Sequence, residues 1–376
     1  MLKSYDAYLV GYYGMQNTGD DALLHATAWG ARHVLGCERM KVTSASALKQ
    51  PELGQIDAEA PTHFRGQLRL RHLQRATQSK RVIFGGGSVL HSARDIHLKR
   101  QMIALAGRKR SMALGVGIED FKSTQDEIAC QKFLNECGFI GLRDQQSYDI
   151  ARSLAPKANL AKTFDLAISL LCSFQPQRLV RQGIMFNFCR QAIDAFGTVN
   201  TAQEQARINR AVTLVTQCWQ RFGETIYLMN FNGHPELGDQ TVHERILDRL
   251  PANVNAEIIE YDPNPILVLQ RIAGFKATAC MRLHGAIMSY MVETPSLMLS
   301  YHPKCKSWCE QIGQPATMLL DANELGSDAL VTALEQGLSN GFDSPTLSVN
   351  QALKLSLFNW SSHDETDSVF RCYPTV

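Results

Sequence analysis

Short, nearly continuous apolar runs alternate along the chain with stretches in which apolar residues recur every three or four positions. In the first half the runs "AYLVGYY", "MKVTSAS", "RVIFGGG", "SMALGVG", "GFIGLRD" and "AKTFDL" predict strands. Helical spacing predicts helices over 21–35, 95–106, 125–137 and 145–154 between them. The segment Cys172–Gln182, "CSFQPQRLVRQ", interrupts this alternation with Pro176 and clustered polar residues, and it reads as a linker. A second series follows, with strands in "GIMFNFC", "TIYLMNF", "AEIIEY", "ATACMRL", "SLMLSY" and "TMLLD". Its helices are expected over 202–222, 241–250, 265–275, 285–292 and 304–312, and "NQALKLSLFNWSSHDETDSVF" reads as a last helix and a polar tail. Strands alternating with helices imply right-handed crossovers and parallel sheets covered on both faces. The expected architecture is α/β, with two Rossmann-like domains over 1–175 and 183–340 facing a central cleft. A C-terminal helix and tail occupy 341–376.

The totals narrow this little but exclude a good deal. At 376 residues the chain is comfortable for two domains, and 45% apolar with 20% charged residues is a globular composition. A net charge of +2 argues against a dedicated nucleic-acid binder. No apolar run approaches the roughly 20 residues that span a bilayer. Asp6 and an immediate strand-like run do not fit a signal peptide. The ten cysteines form no CxxC pair, and Cys305 and Cys309, four apart, suit a buried helix face better than a metal. A reduced, cytoplasmic protein without a metal is the expectation.

Ligands of open parallel sheets bind beyond the carboxyl ends of the strands. The polar exits "GYYGMQNTGDD", "GGGSVLHS", "GLRDQQS", "MRLHG" and "SYHPKCK" are therefore the places to inspect. Gly11, Gly14 and Gly19 permit close approach of backbone to a ligand, and Asp20 is placed to cap a helix starting at Asp21. "GGGS" lacks the GK[ST] of a Walker A loop, no GxGxxG opens the chain, and "GVGI" at Gly115–Ile118 suits tight packing.

Read in order, the Gly11–Asp20 stretch, Gly85–Gly87, "LRDQQS", "FDLA", "RLHGAIMS" and "PSLMLSYHPKCKSWCEQIG" resemble the polysaccharide pyruvyl transferases. That family reads roughly GxxGxxNxGDE near its N-terminus and RLHxxI followed by SYxxK near its C-terminus. The resemblance spans nearly the whole chain. It implies a fold like that of the GT-B glycosyltransferases and transfer of a pyruvyl group from phosphoenolpyruvate onto two hydroxyls of a sugar. No cofactor beyond that donor is implied. His302 stands where the family often has Asp, Asp21 where Glu is common, and "FNFCR" is an unusual first strand for the second domain. These departures bear on the acceptor more than on the donor.

Such chemistry needs a general acid, cations for two anionic groups, and groups to orient hydroxyls. His284 is the candidate acid: it follows a strand and begins a helix, imidazole is a side chain able to titrate near neutrality, and the resemblance gives this His an essential role. A capping or core histidine is the ordinary alternative. Arg143, Arg282 and Lys304 are the candidate donor-binding cations, with Asn17 supplying neutral hydrogen bonds. Strand alternation places Arg282 and His284 on one side. The ordinary alternatives are an ion pair with Asp144 for Arg143, a solvated surface position for Lys304 and a turn for Asn17. His91, Asp20 and Tyr301 are assigned to the acceptor, although capping is the ordinary role of both Asp20 and Asp144. The run "RGQLRLRHLQRATQSKR", from Arg65 to Arg81, is strongly basic with interleaved leucines. It is either a solvated helix face or a contact for an anionic membrane surface or a lipid-diphosphate sugar carrier. A nucleotide-sugar glycosyltransferase of the same two-domain plan is the alternative function, but no convincing EX7E-like acidic pair supports it.

Overall fold

The computed structural model describes residues 3–45, 56–59, 67–175, 177, 179–190, 201–322 and 327–361. Arg65, Pro176 of the expected linker and the polar tail after Ser361 lie outside them. Among the described residues, 3–15, 20–173 and 350–361 form one compact unit, and 16–19 with 174–349 form another.

The first unit is a seven-stranded, all-parallel sheet. Its strands are β1 (Ala7–Val10), β2 (Met40–Thr43), β3 (Ile56–Glu59), β4 (Val82–Gly87), β5 (Met112–Val116), β6 (Phe139–Leu142) and β7 (Leu160–Lys162). Their spatial order is β3-β2-β1-β4-β5-β6-β7. The helices are α1 (Thr18–His33), α2 (Gln67–Gln78), α3 (Ala93–Ala106), α4 (Thr124–Glu136) and α5 (Gln145–Leu154). Every residue of β1, β5 and β6 is buried, which is why these strands read as unbroken apolar runs rather than as alternation. Each large aliphatic side chain removed from water here stabilises the fold by about 1.5–3 kcal/mol.

The second unit repeats the plan with six strands. They are β8 (Ile184–Asn187), β9 (Ile226–Met229), β10 (Ala256–Ile259), β11 (Ala277–Cys280), β12 (Ser296–Ser300) and β13 (Leu319–Asp321), in the order β10-β9-β8-β11-β12-β13. Helices α6 (Thr201–Phe222), α7 (Gln240–Leu247), α8 (Pro265–Ala273), α9 (Leu283–Met291) and α10 (Pro303–Ile312) connect them, and α11 (Ser327–Asn340) follows β13. Both sheets reverse strand order once, between β1 and β4 and between β8 and β11. The crevice at such a reversal is where Rossmann-type sheets hold ligands.

The departures from the sequence reading have local causes. Strand β3 was not foreseen, because "IDAE" carries two acids and no apolar run. Of "AKTFDL" only Ala161 and Lys162 are strand, following Leu160; Asp165 then caps a 3₁₀ turn over Leu166–Cys172. The last helix, α12 (Val349–Leu357), runs into a 3₁₀ turn at Phe358–Trp360 and packs into the first unit. Buried Asn359 anchors it: Oδ1 accepts from Gly115 N (2.6 Å) and Thr163 Oγ1 (2.8 Å), and Nδ2 donates to Phe164 O (3.0 Å) and Ser356 O (2.9 Å). A four-partner amide of this kind leaves no buried polar group unmatched.

Candidate functional site

In the first unit the sheet reversal brings Gly85–Gly87 beside the exit of β1. Gly86 and Gly87 take φ of +75° and +80°, a left-handed pair that a residue with Cβ rarely adopts. The next residue, Ser88, accepts a hydrogen bond from Arg143 at the end of β6 (3.1 Å). The Arg143 guanidinium also lies 3.5 Å from Asp144 and 3.9 Å from Asp165, and it rests against Gly117. The "GVGI" glycine is thus packing space for an arginine. Asp144 caps α5 by accepting from Ser147 N (2.8 Å) while facing Arg143, so it fills both roles weighed for it. His91 bonds through Nδ1 to the Ser88 carbonyl (2.9 Å). Asp20 lies inside α1, which begins at Thr18. The expected cap is therefore corrected: the Asn17 side chain accepts from Gly19 N (3.0 Å).

The second unit holds the denser cluster, beyond the ends of β8, β9, β11 and β12. Residues Gln16–Thr18 form a short pairing with the loop after β9. Thr18 N donates to Phe231 O (2.9 Å), Gly233 N to Gln16 O (2.8 Å), and Asn17 bridges Asn232. Gln16 adopts φ of +56° to make this turn. Beside it, the imidazole of His284 packs on Gly19 so closely that a Cβ there would collide with the ring. This is why the chain leaves β1 through flexible backbone and enters a helix directly. Gly19→Ala keeps helix propensity but pushes His284 aside. Displacements of about 1 Å can cost about 100-fold in rate. Turnover is expected to fall on that scale with the circular dichroism spectrum unchanged; normal turnover would show that the ring need not sit there.

Arg282 and His284 do not share a side through strand alternation. Strand β11 ends at Cys280, Arg282 is the N-cap of α9, and His284 is the second residue of that helix. Arg282 turns onto Asp239, with Nε at 3.0 Å and a terminal nitrogen at 2.7 Å from Oδ1. Asp239 is fully buried and also accepts from Asn187 Nδ2 (3.1 Å), Phe231 N (2.9 Å) and Asn232 N (3.1 Å). Asn187 Oδ1 in turn accepts from Arg282 N (3.0 Å). Behind this pair, His243 Nε2 accepts from Phe188 N (3.0 Å), so Nδ1 carries the proton shared with Asn230 Oδ1 (2.6 Å). Burial lowers the His243 pKa to about 4 and keeps the ring neutral. Sequence reading missed Asp239, Asn187 and His243. Asp239 follows a polar loop with no motif, and only its burial beside Arg282 marks it.

Tyr301 engages the Cys189 thiol, and burial, helped by Asp239, pushes that thiol up to about 11 despite nearby Arg282. The Tyr301 hydroxyl is raised as well, chiefly by burial. His302 caps α10 and accepts from the Lys304 N–H (3.3 Å), so that amide is taken and Lys304 offers its side-chain ammonium. Cys305 and Cys309 are buried on α10, as a helix face requires. Thus Asn17, Arg282, His284, Tyr301 and Lys304 belong to the second unit, and Asp20, His91 and Arg143 to the first. Among the described residues no group of three His, Cys, Asp or Glu side chains is arranged to hold a metal.

A family model for polysaccharide pyruvyl transferase matches residues 17–303, a span that starts at Asn17 and ends just before Lys304. The chain belongs to this family. No curated protein sequence matches it significantly. Solved structures similar to this pyruvyl transferase family member share little sequence. UDP-GlcNAc 2-epimerase from Methanocaldococcus jannaschii superposes with a TM-score of 0.59 at 10% identity, covering 93% of this chain and 97% of that one. The Neisseria meningitidis enzyme bound to UDP-GlcNAc gives 0.57 at 9%, covering 94% and 98%. Anabaena HepE in complex with UDP-glucose gives 0.55 at 12%, covering 98% and 99%. Such likeness establishes the GT-B-like α/β fold. No helix among the described residues is long and apolar enough to cross a membrane.

Proposed function

We propose that the chain transfers the pyruvyl group of phosphoenolpyruvate to two hydroxyls of one sugar in a surface polysaccharide or its precursor. The observation that carries this is the placement of His284 at the start of α9, beside the Arg282–Asp239 pair and in the same unit as Lys304, within a chain of the pyruvyl transferase family. His284 gives a proton to the methylene carbon of the donor, and the adjacent enol carbon becomes oxocarbenium-like. A sugar hydroxyl adds there and loses its proton. The carbon–oxygen bond to phosphate then breaks, and phosphate leaves with the bonding pair. A second hydroxyl closes the ketal and releases another proton. One of the two protons restores the acid, and the other leaves with phosphate or solvent.

The helix starts around this position favour the charges involved, because N-terminal backbone dipoles attract anions. Arg282, fixed in orientation by Asp239, and the ammonium of Lys304 suit a carboxylate and a phosphate. Asn17, as a donor contact, and Tyr301, as an acceptor contact, lie in the same unit and complete the reading. No cofactor beyond the donor is required by it, and it fits a protein working where phosphoenolpyruvate is made, in the cytoplasm.

The decisive experiment runs the reaction with phosphoenolpyruvate and a sugar acceptor in deuterium oxide. One solvent deuterium is expected in the ketal methyl group, with phosphate released in equal amount. A product methyl without deuterium would overturn protonation at carbon. Thermal stabilisation by a UDP-sugar but not by phosphoenolpyruvate would instead favour a glycosyltransferase, since a ligand stabilises the state that binds it.

A further inference from the structure

Strands β1, β4 and β5 lie side by side and parallel in the first sheet, so their amino ends share one edge. The segments that enter them are rich in cations. Lys3 precedes β1, Lys80 and Arg81 precede β4, and Arg108, Lys109 and Arg110 form a 3₁₀ turn just ahead of β5. Backbone groups hold these segments on one frame: Lys80 N donates to Tyr5 O (3.0 Å), and Val82 N donates to Ser111 Oγ (3.1 Å). The Lys3 ammonium donates to Ser79 O (2.8 Å) and to Ala106 O at the end of α3 (2.5 Å). Burial, and after it the Arg110 charge, lower the Lys3 pKa. Carboxylates do not balance this edge. Asp6 pairs with Lys80 (2.8 Å), and Glu136, 3.6 Å from Arg108 Nε, is already engaged by Arg100. Among the described residues no carboxylate lies within ion-pair distance of Lys3, Arg81, Lys109 or Arg110. Six cations against two carboxylates leave four positive charges here, twice the net +2 of the whole chain. Arg108, Lys109 and Arg110 are exposed, and beside them Leu105, at the end of α3, is 43% exposed.

We propose that this amino-end edge of the first sheet docks on an anionic lipid bilayer, with Arg108, Lys109 and Arg110 against the headgroups, Lys3 and Lys80 behind them, and Leu105 at the boundary with the acyl chains. The inference goes beyond the pyruvyl-transfer reading and does not depend on it. Neighbouring strands stand about 4.8 Å apart, so cations entering three of them extend over about 10 Å, more than one phosphate spans. An extended anionic surface matches that spread, and basic side chains near it are attracted additively. A nucleic acid calls for aromatic platforms or a helix entering a groove, whereas the exposed apolar neighbour here is a leucine, which stacks on no base. Lys80 and Arg81 close the basic run noted in the sequence, so that run ends in this edge. The carboxyl edge of the same sheet, where Arg143 and His91 stand, stays clear of the bilayer in this orientation.

The test measures co-sedimentation of the full chain with vesicles of phosphatidylcholine alone and of phosphatidylcholine mixed with phosphatidylglycerol. Binding to the mixed vesicles is expected to be at least about tenfold tighter, and added salt should release it, because exposed charges are screened within about 8 Å at physiological ionic strength. Each cation at an anionic surface contributes about fivefold, so Arg108→Gln, Lys109→Gln and Arg110→Gln together should weaken binding by about 100-fold. All three side chains are exposed, so the fold is retained. Lys109→Gln alone should cost about fivefold. Arg94→Gln with Lys162→Gln removes exposed cations at the opposite, carboxyl edge and should leave vesicle affinity unchanged. Equal binding to neutral vesicles, undiminished binding by the triple variant, or an equal loss in the Arg94 and Lys162 variant would each overturn the proposal. So would retention by duplex DNA or polyglutamate without vesicle binding. None of these measurements uses phosphoenolpyruvate, so failure of the transfer reading would leave them standing.

Discussion

Replacing His284 by Asn or Gln is expected to lower turnover by about 100- to 10,000-fold, the usual contribution of a general acid, while phosphoenolpyruvate still binds. Both substitutes keep polarity and approximate size, so the ring's packing against Gly19 is relieved rather than replaced by a cavity. Neither can deliver a proton to carbon. The cations proposed to hold the carboxylate and phosphate remain, which separates loss of chemistry from loss of binding. Single-turnover measurements with saturating donor read the first, and isothermal titration reads the second. Normal turnover in both variants, with deuterium still entering the methyl group, would leave the reaction standing and move the acid to another residue.

Asp239→Asn is the second large effect, and it falls on stability first. The substitution keeps the shape but removes the charge that Arg282 faces and weakens acceptance from two backbone amides and an asparagine. Breaking a buried ion pair from one side costs about 3–5 kcal/mol. With one fifth of the Arg282 side chain exposed, the lower end of that range is expected. Denaturant unfolding should show the loss, and donor affinity should fall with it, because Arg282 is no longer aimed. Adding Arg282→Gln to Asp239→Asn should recover part of the stability, since the unmatched charge is gone, but none of the donor affinity. Additive losses in the double variant would mean that the two residues act independently.

These expectations draw on different kinds of information. The alternation of apolar runs and helical spacing made the two α/β halves legible, because strands buried on both faces leave a nearly continuous apolar record. Helix α5 was read with its observed bounds, since Asp144 caps it and its apolar residues keep period. The polar strand exits were legible for a similar reason: parallel sheets bind ligands at strand ends, and His284, Arg282 and Lys304 lie just beyond such ends. Their environments were not. Whether Arg282 is free or held depends on Asp239, 43 residues away, and nothing local to either residue records the pairing. The same holds for the last helix. "NWSS" has the composition of a surface turn, yet Asn359 is buried because its amide satisfies Gly115, Thr163 and Phe164, partners more than 190 residues distant. The sequence by itself determined the elements, their order and the residue types offered at the strand ends, since those follow from local periodicity and backbone chemistry. Only the tertiary structure decided which charges are paired, which amides are taken and why Gly19 can be nothing larger, because burial and hydrogen-bond partnership depend on segments that meet only after folding.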